Sequence, residues 1–184
     1  ESDLVKNSVA PAYALLPDFF LHTKYFAVQE ISTDEAILPY RGGRDWGDNG
    51  IYIELHQHTY TPAHRNIRDC WNGLATMISR TVSAINTLTP LAGSDAEAKV
   101  FLAEVRGLRA YYNMMTLDMW GLAFKKDDPT VVSQILRGNE AFEYIKSEFE
   151  AVVGDLRTDV GPGRLTQGAV YGLLARLHLN AAVY

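Results

Sequence analysis

The sequence predicts a mainly α-helical fold, with degenerate tetratricopeptide-like helix pairs and one long irregular loop region at about 39–62. Three observations predict it. First, Phe101, Val105, Leu108, Tyr112, Met115 and Met119 alternate steps of four and three, the period of one helix face. Second, Phe142, Ile145, Phe149, Val152 and Leu156 repeat that period, and Gly161-Pro162-Gly163 then leads into a further apolar segment; the pair from Asn139 to Tyr184 has the length and turn of a tetratricopeptide unit. Third, four of the fourteen glycines fall within positions 42–50, interleaved with charged residues and Trp46, which is a loop composition.

Taken in order, Leu4 to about Leu16 reads as a helix with Leu4, Ser8, Ala12 and Leu15 on one side and Pro17 near its end. Phe19–Glu30 is apolar without a clear period, and Ser32-Thr33-Asp34-Glu35 is a polar break. Within the loop region, Ile51–Tyr60 is read as irregular with room for a short strand. Arg65 to about Leu88 is a long helix with a stripe of Trp71, Leu74, Ile78, Ile85 and Leu88, ended by Pro90–Gly93. Ser94-Asp95-Ala96-Glu97 has capping-box spacing and opens the next helix, for which Gly121 is the stop. Leu122–Gly138 reads as a connector, Asn139 as the cap of the following helix and Thr166 as the cap of the last one. The helices at 95–120, 139–157 and 166–184 are expected to pack through these stripes. In the last helix, Leu173, Leu177 and Tyr184 share a face, Val170, Leu174 and Ala181 lie beside them, and small residues (Ala169, Gly172, Ala175) allow close approach. That helix shows no C-cap, so its apolar face is expected to be left uncovered, and the chain is read as part of a longer structure.

Bulk properties exclude several classes. The 184 residues are 47% apolar with a net charge of -5, a globular composition long enough for a real core. An acidic balance without a basic run argues against a nucleic-acid partner. Cys70 is the only cysteine, so neither an internal disulfide nor a Cys-cluster metal site can form. No apolar run approaches the ~18 residues of a membrane-spanning helix. The chain begins at Glu1 rather than Met, as a mature or trimmed product would.

The loop region carries the chemistry. Trp46, Tyr52 and Tyr60 are candidate aromatic platforms; Arg41, Arg44, Asp45, Asp48 and Asn49 are planar donors and acceptors suited to paired hydroxyls. Apolar faces combined with such groups are what sugar recognition needs. On the residues alone, Trp46 could equally anchor its own loop with the charges solvated. His56 and His58 are two apart and on a strand would face one side, as metal ligands do, but no third ligand is nearby. A calcium loop starting at Asp45 would need an acidic residue at its twelfth position, where His56 stands. Glu104, Arg106, Arg109, Arg164 and Arg176 read as structural, the arginines pairing with carboxylates of neighbouring helices. No hydrolase elbow, phosphate loop, zinc-protease or dinucleotide motif occurs, and no carboxylate pair is recognisable as an acid and base.

Three segments resemble the SusD/RagB family of outer-membrane nutrient-binding lipoproteins. Glu104-Val105-Arg106-Gly107-Leu108-Arg109-Ala110-Tyr111 is similar to that family's E-x-x-x-L-R-A-Y helix. Gly163–Tyr184 is similar to its G-R-x-T-x-G-A-x-x-x-L-L-A-R-L-x-L segment. Arg41-Gly42-Gly43-Arg44-Asp45-Trp46, His56-Gln57-His58-Thr59-Tyr60-Thr61-Pro62 and Trp71-Asn72 resemble its R-G-x-D-W loop, H-x-H-T-W-x-P stretch and W-N helix. The chain departs at Leu122-Ala123-Phe124, where the family commonly has G-D-V-P, and at Tyr60, where tryptophan is common.

The resemblance implies an N-terminal portion of a single SusD-like helical domain. It implies a surface-exposed protein of the outer membrane, held by a lipid anchor outside this chain, that binds a glycan or oligosaccharide and works with a TonB-dependent transporter. It implies ligand contacts from Arg41, Arg44, Asp45, Trp46, Asn49 and Tyr60, no enzymatic activity and no metal or other cofactor. An intracellular helical-repeat scaffold that binds a peptide or protein is the alternative.

Overall fold

A computed structural model describes residues 2–39, 41 and 48–184. Among these are seven α-helices and one two-stranded sheet: α1 (Ser2–Tyr13), α2 (Leu16–Phe19), α3 (Ile51–His56), α4 (Arg65–Leu88), α5 (Ala96–Trp120), β1 (Leu122–Lys125), β2 (Gln134–Arg137), α6 (Gly138–Val152) and α7 (Gln167–Leu179). The mainly helical expectation is met. The chain divides into two compact units, one of Glu1–Ala14 with Leu74–Tyr184 and one of Leu15–Gly73.

The larger unit is organised by α5. Asp95 caps it, its carboxylate accepting from the backbone N–H of Glu97 at 2.8 Å and Ala98 at 3.1 Å. The cap is therefore one residue later than the Ser94 box predicts; a carboxylate at the positive end of the helix dipole is the stronger partner. Gly121 ends the helix in the left-handed region at φ 67°, as expected. The predicted stripe is buried from Phe101 to Met115, but so are Ala103, Ala110, Met114 and Leu117 on the other side. This second, smaller-residue face joins Phe142, Ile145, Phe149 and Val152 of α6 and Val170 and Leu177 of α7 in one cluster. The three helices do pack together, but α5 meets α6 through this face rather than through the stripe, because a central helix is covered all round. On the stripe side, the Tyr112 hydroxyl donates to the Ala12 carbonyl of α1 at 2.6 Å.

Ionic clamps fasten α5 to its neighbours. Glu104 is fully buried. It accepts from the Tyr13 hydroxyl at 2.9 Å and from Arg164, whose Nε lies 3.2 Å away and whose Nη2 pairs with the other oxygen. Tyr13 in turn accepts from the Leu165 backbone N–H at 2.9 Å, and the Arg164 guanidinium covers the Phe101 ring at 4.6 Å. Further along, Arg106 and Arg109 both grip Glu148 of α6, at 2.9 and 2.8 Å. Arg176 pairs with Asp118 at 2.9 Å. The structural reading of these residues holds.

Three local expectations are corrected. The buried face of α1 is Val5, Val9 and Ala12; of the predicted side Ala12 alone is fully buried, and Leu4 is 54% exposed. Residues 122–138 form an antiparallel hairpin, pairing Leu122 with Arg137 and Lys125 with Gln134. The polar cue that held it is Asn113, buried in α5, whose side-chain carbonyl accepts from the Phe124 N–H at 2.7 Å. Finally, α6 begins at Gly138 behind Arg137, so Asn139 is not its cap.

In α7, Thr166 does cap the helix, accepting from Ala169 N–H at 3.1 Å. The helix ends at Leu179, and the Asn180 side chain that follows donates to the Arg176 carbonyl at 2.9 Å, satisfying one of the last-turn carbonyls. Leu177 is fully buried and the Tyr184 hydroxyl bonds Asp118, so the face expected to be uncovered is largely covered. Tyr171, Leu179 and Val183 are the exposed apolar side chains instead.

The smaller unit has its own core of Ala27, Ile31, Tyr52 and Leu55, flanked by Ala36, Leu38, Ile51 and Ile67. Ala27–Ile31 is a single π-helical turn, a form enriched at functional sites.

Candidate functional site

The described part of the loop region is built on the smaller unit. Asp48-Asn49-Gly50 makes a tight reversal in which Asn49 and Gly50 take φ 54° and 85°. Glycine enters this conformation without a Cβ penalty and asparagine with a small one. The Asp48 carboxylate accepts from the Gly50 N–H at 3.4 Å, and the Asp48 carbonyl from the Ile51 N–H at 3.3 Å. The reversal delivers Ile51–His56 as a helix, where the sequence reading allowed a strand. Tyr52 and Leu55, three apart, both turn into the core, a helical spacing too short to stand out by periodicity.

This corrects one candidate platform. Tyr52 is buried, 4% exposed, and cannot present its face to a ligand. Burial pushes its phenol above the ordinary range, against a hydrogen bond with Asn66 of α4.

After α3 the chain turns outward at His58, which adopts φ 56°. His56 closes the helix and His58 is left-handed, so the two do not form the same-sided strand pair that would suit a metal. Among the described residues no group of three or more His, Cys, Asp or Glu side chains could hold a metal ion. The His58 Nε2 donates to the Ser32 carbonyl at 2.6 Å. Tyr60 follows at 41% exposure, with its ring centroid 6.3 Å from that of His58 and 6.3 Å from that of His64. His64 is buried; its Nε2 donates to the Ile51 carbonyl at 2.9 Å and lies 3.7 Å from a Glu54 oxygen.

Of the six predicted ligand residues, Arg41 and Asn49 are exposed and Tyr60 is partly exposed on the same unit. Arg44, Asp45 and Trp46 lie outside the described residues. No hydrophobic period or motif in the sequence singles out His64, and His58 stands out there only as a possible metal ligand. The available signal was local: Thr61-Pro62-Ala63 is a turn, and His64 is the last residue before a helix, where a side chain can reach back across it. Cys70 is buried and its thiol is pushed up to about 12 by that burial, so it is not a reactive group.

No protein-family model matches the chain. Two curated proteins do. The SusD-like protein of Bacteroides ovatus is 26% identical over 154 residues, covering 78% of this chain and 28% of its own length. The starch-binding protein SusD of Bacteroides thetaiotaomicron is 28% identical over 162 residues, covering 86% of this chain and 28% of its own. The chain is thus similar in sequence to SusD-like proteins over most of its length. It spans 28% of the length of both curated relatives. Among solved structures, surface glycan-binding protein A from Bacteroides uniformis superposes with a TM-score of 0.82 at 17% identity, covering 99% of this chain and 42% of that one. A laminarin-binding SusD-like protein gives 0.81 at 17% identity, covering 97% and 40%. At these identities the structural likeness establishes the SusD-like fold.

Proposed function

We propose that the protein containing this SusD-like chain binds a glycan at the cell surface and passes it to a TonB-dependent transporter for uptake across the outer membrane. The observation that carries this reading is the sequence similarity to two SusD proteins over 78% and 86% of the chain, one of them named for starch binding. Within this reading the chain is the N-terminal portion of one SusD-like helical domain. The loop region supplies the ligand face: Trp46 and Tyr60 are aromatic platforms for the C–H surfaces of sugar rings, and Arg41, Arg44, Asp45 and Asn49 are hydroxyl partners. Partly exposed Tyr60 and exposed Arg41 and Asn49 support it. The role is one of binding rather than catalysis, as the names of the relatives suggest. The protein is lipid-anchored at the outer membrane by a residue outside this chain.

The test is in two parts. In affinity gels cast with soluble starch, laminarin or xylan, the full protein should be retarded by at least one polysaccharide. It should also fractionate with outer membranes and be digested by protease added to intact cells. Mobility unaffected by every polysaccharide would contradict glycan binding. A soluble, protease-protected protein would contradict the surface location.

A further inference from the structure

We propose that His58 and His64 are positioning residues that hold the Tyr60 ring as a ligand-facing platform. This rests on the reading of Tyr60 as a glycan platform. Tyr60 sits in a non-helical stretch between α3 and α4, where an aromatic side chain at 41% exposure would ordinarily be free to turn. Two imidazoles flank it instead, at centroid distances of 6.3 Å and interplanar angles of 51° and 67°, within the range of favourable aromatic pairs.

Each imidazole is itself tied to the backbone. His64 is anchored twice: its ring donates to the Ile51 carbonyl at the start of α3, and its own carbonyl accepts from the Arg68 N–H at 3.0 Å in the first turn of α4. His58 donates to the Ser32 carbonyl just after the π-turn and holds a left-handed backbone. Such a conformation in a residue other than glycine persists where the surroundings hold it, and it collects at ligand clamps. The arrangement ties Tyr60 to three segments of the smaller unit. A platform fixed before the sugar arrives loses less side-chain freedom on binding, which appears as affinity. If the histidines only terminated α3 and started α4, their rings would not have to meet Tyr60.

The experiment uses the full protein and whichever of soluble starch, laminarin or xylan retards it in affinity gels, with Tyr60→Ala, His58→Gln and His64→Gln variants. Glutamine keeps an N–H donor for the backbone carbonyl and removes the ring. Each variant should weaken binding of that polysaccharide by about three- to tenfold, the worth of an aromatic pair. The Tyr60 ring signals in NMR spectra of both glutamine variants should also move in the absence of polysaccharide, since the imidazole ring currents are gone. Because His64 is buried, the partly solvated His58→Gln carries the test if His64→Gln lowers the melting temperature. Retardation by no polysaccharide would overturn the glycan reading and the positioning role with it; Tyr60→Ala without effect on a polysaccharide that does retard the protein would leave glycan binding standing and overturn Tyr60 as platform together with the positioning role. A loss in Tyr60→Ala with unchanged affinity in His58→Gln would overturn the positioning role alone.

Discussion

Glu104 shows what a single residue of a motif is for. It is a charge at 0% exposure, tolerable only because the Tyr13 hydroxyl and the Arg164 guanidinium, itself lying over the Phe101 ring, together satisfy it. Its partners come from α1 and from the turn before α7, so one carboxylate fastens two ends of the larger unit. Glu104→Ala leaves Arg164 and the Tyr13 hydroxyl without their acceptor and should cost about 3 kcal/mol, the low end for breaking a buried pair because Arg164 keeps some solvent. Chemical denaturation of both proteins checks it. Glu148 offers a second test through pH. Burial pushes its carboxyl up, but hydrogen bonds from Arg106 and Arg109 outweigh that and hold it below the ordinary glutamate range. A carboxyl lowered on folding stabilises the fold above the unfolded value of about 4.3 and loses that contribution as pH falls through the folded value. The melting-temperature difference between wild type and Glu148→Gln should therefore be largest near neutrality and shrink in acid. These pairings were legible in the sequence as types, because Arg106 and Arg109 share a helix face, but not as partners, because Glu148 is distant in the chain.

At the scale of elements, the two longest helices, α4 and α5, could be read almost to the residue, whereas α6 and α7 stop five residues short of the expected 157 and 184. The bounds of α4 match the expectation at Arg65 and Leu88, and the α6 stripe is buried throughout. Short elements were missed for one reason: four to six residues do not span enough periods to declare themselves. The β1–β2 hairpin and α3 are the cases, and both are fixed by groups far away in sequence, Asn113 for the hairpin and His64 for the start of α3. For α5 the periodicity was correct yet incomplete. It marked one face, and only the tertiary arrangement shows that Gly107 and its neighbours make a second: a Cβ at Gly107 would come within 2.5 Å of the Leu165 side chain. Leu108, beside it, is 2% exposed. Leu108→Ala should destabilise by roughly 2–5 kcal/mol, read as a lower midpoint in urea with an unchanged slope. An unchanged midpoint would mean that α5 is not the centre of this core.

For the molecule as a whole, fold and function stand on different ground. The mainly helical fold follows from stripes, caps and turns that the sequence displays, and the superpositions match it to SusD-like structures. The proposed ligand face depends on loop side chains, whose direction no hydrophobic period encodes. Tyr52 and Tyr60 are alike in the sequence, yet one is core and the other partly exposed; only the helical turn of α3 separates them. Trp46 and Tyr60 are the aromatics proposed to meet a glycan, and the most direct measurement is calorimetric titration of the full protein and its Trp46→Ala variant with a polysaccharide that binds wild type, alongside their melting curves. Affinity in Trp46→Ala should fall by about tenfold or more, as for an aromatic anchor, with the melting temperature nearly unchanged. Undiminished affinity in Trp46→Ala would contradict the platform role, as would a joint collapse of binding and fold, which would make Trp46 an anchor of its own loop.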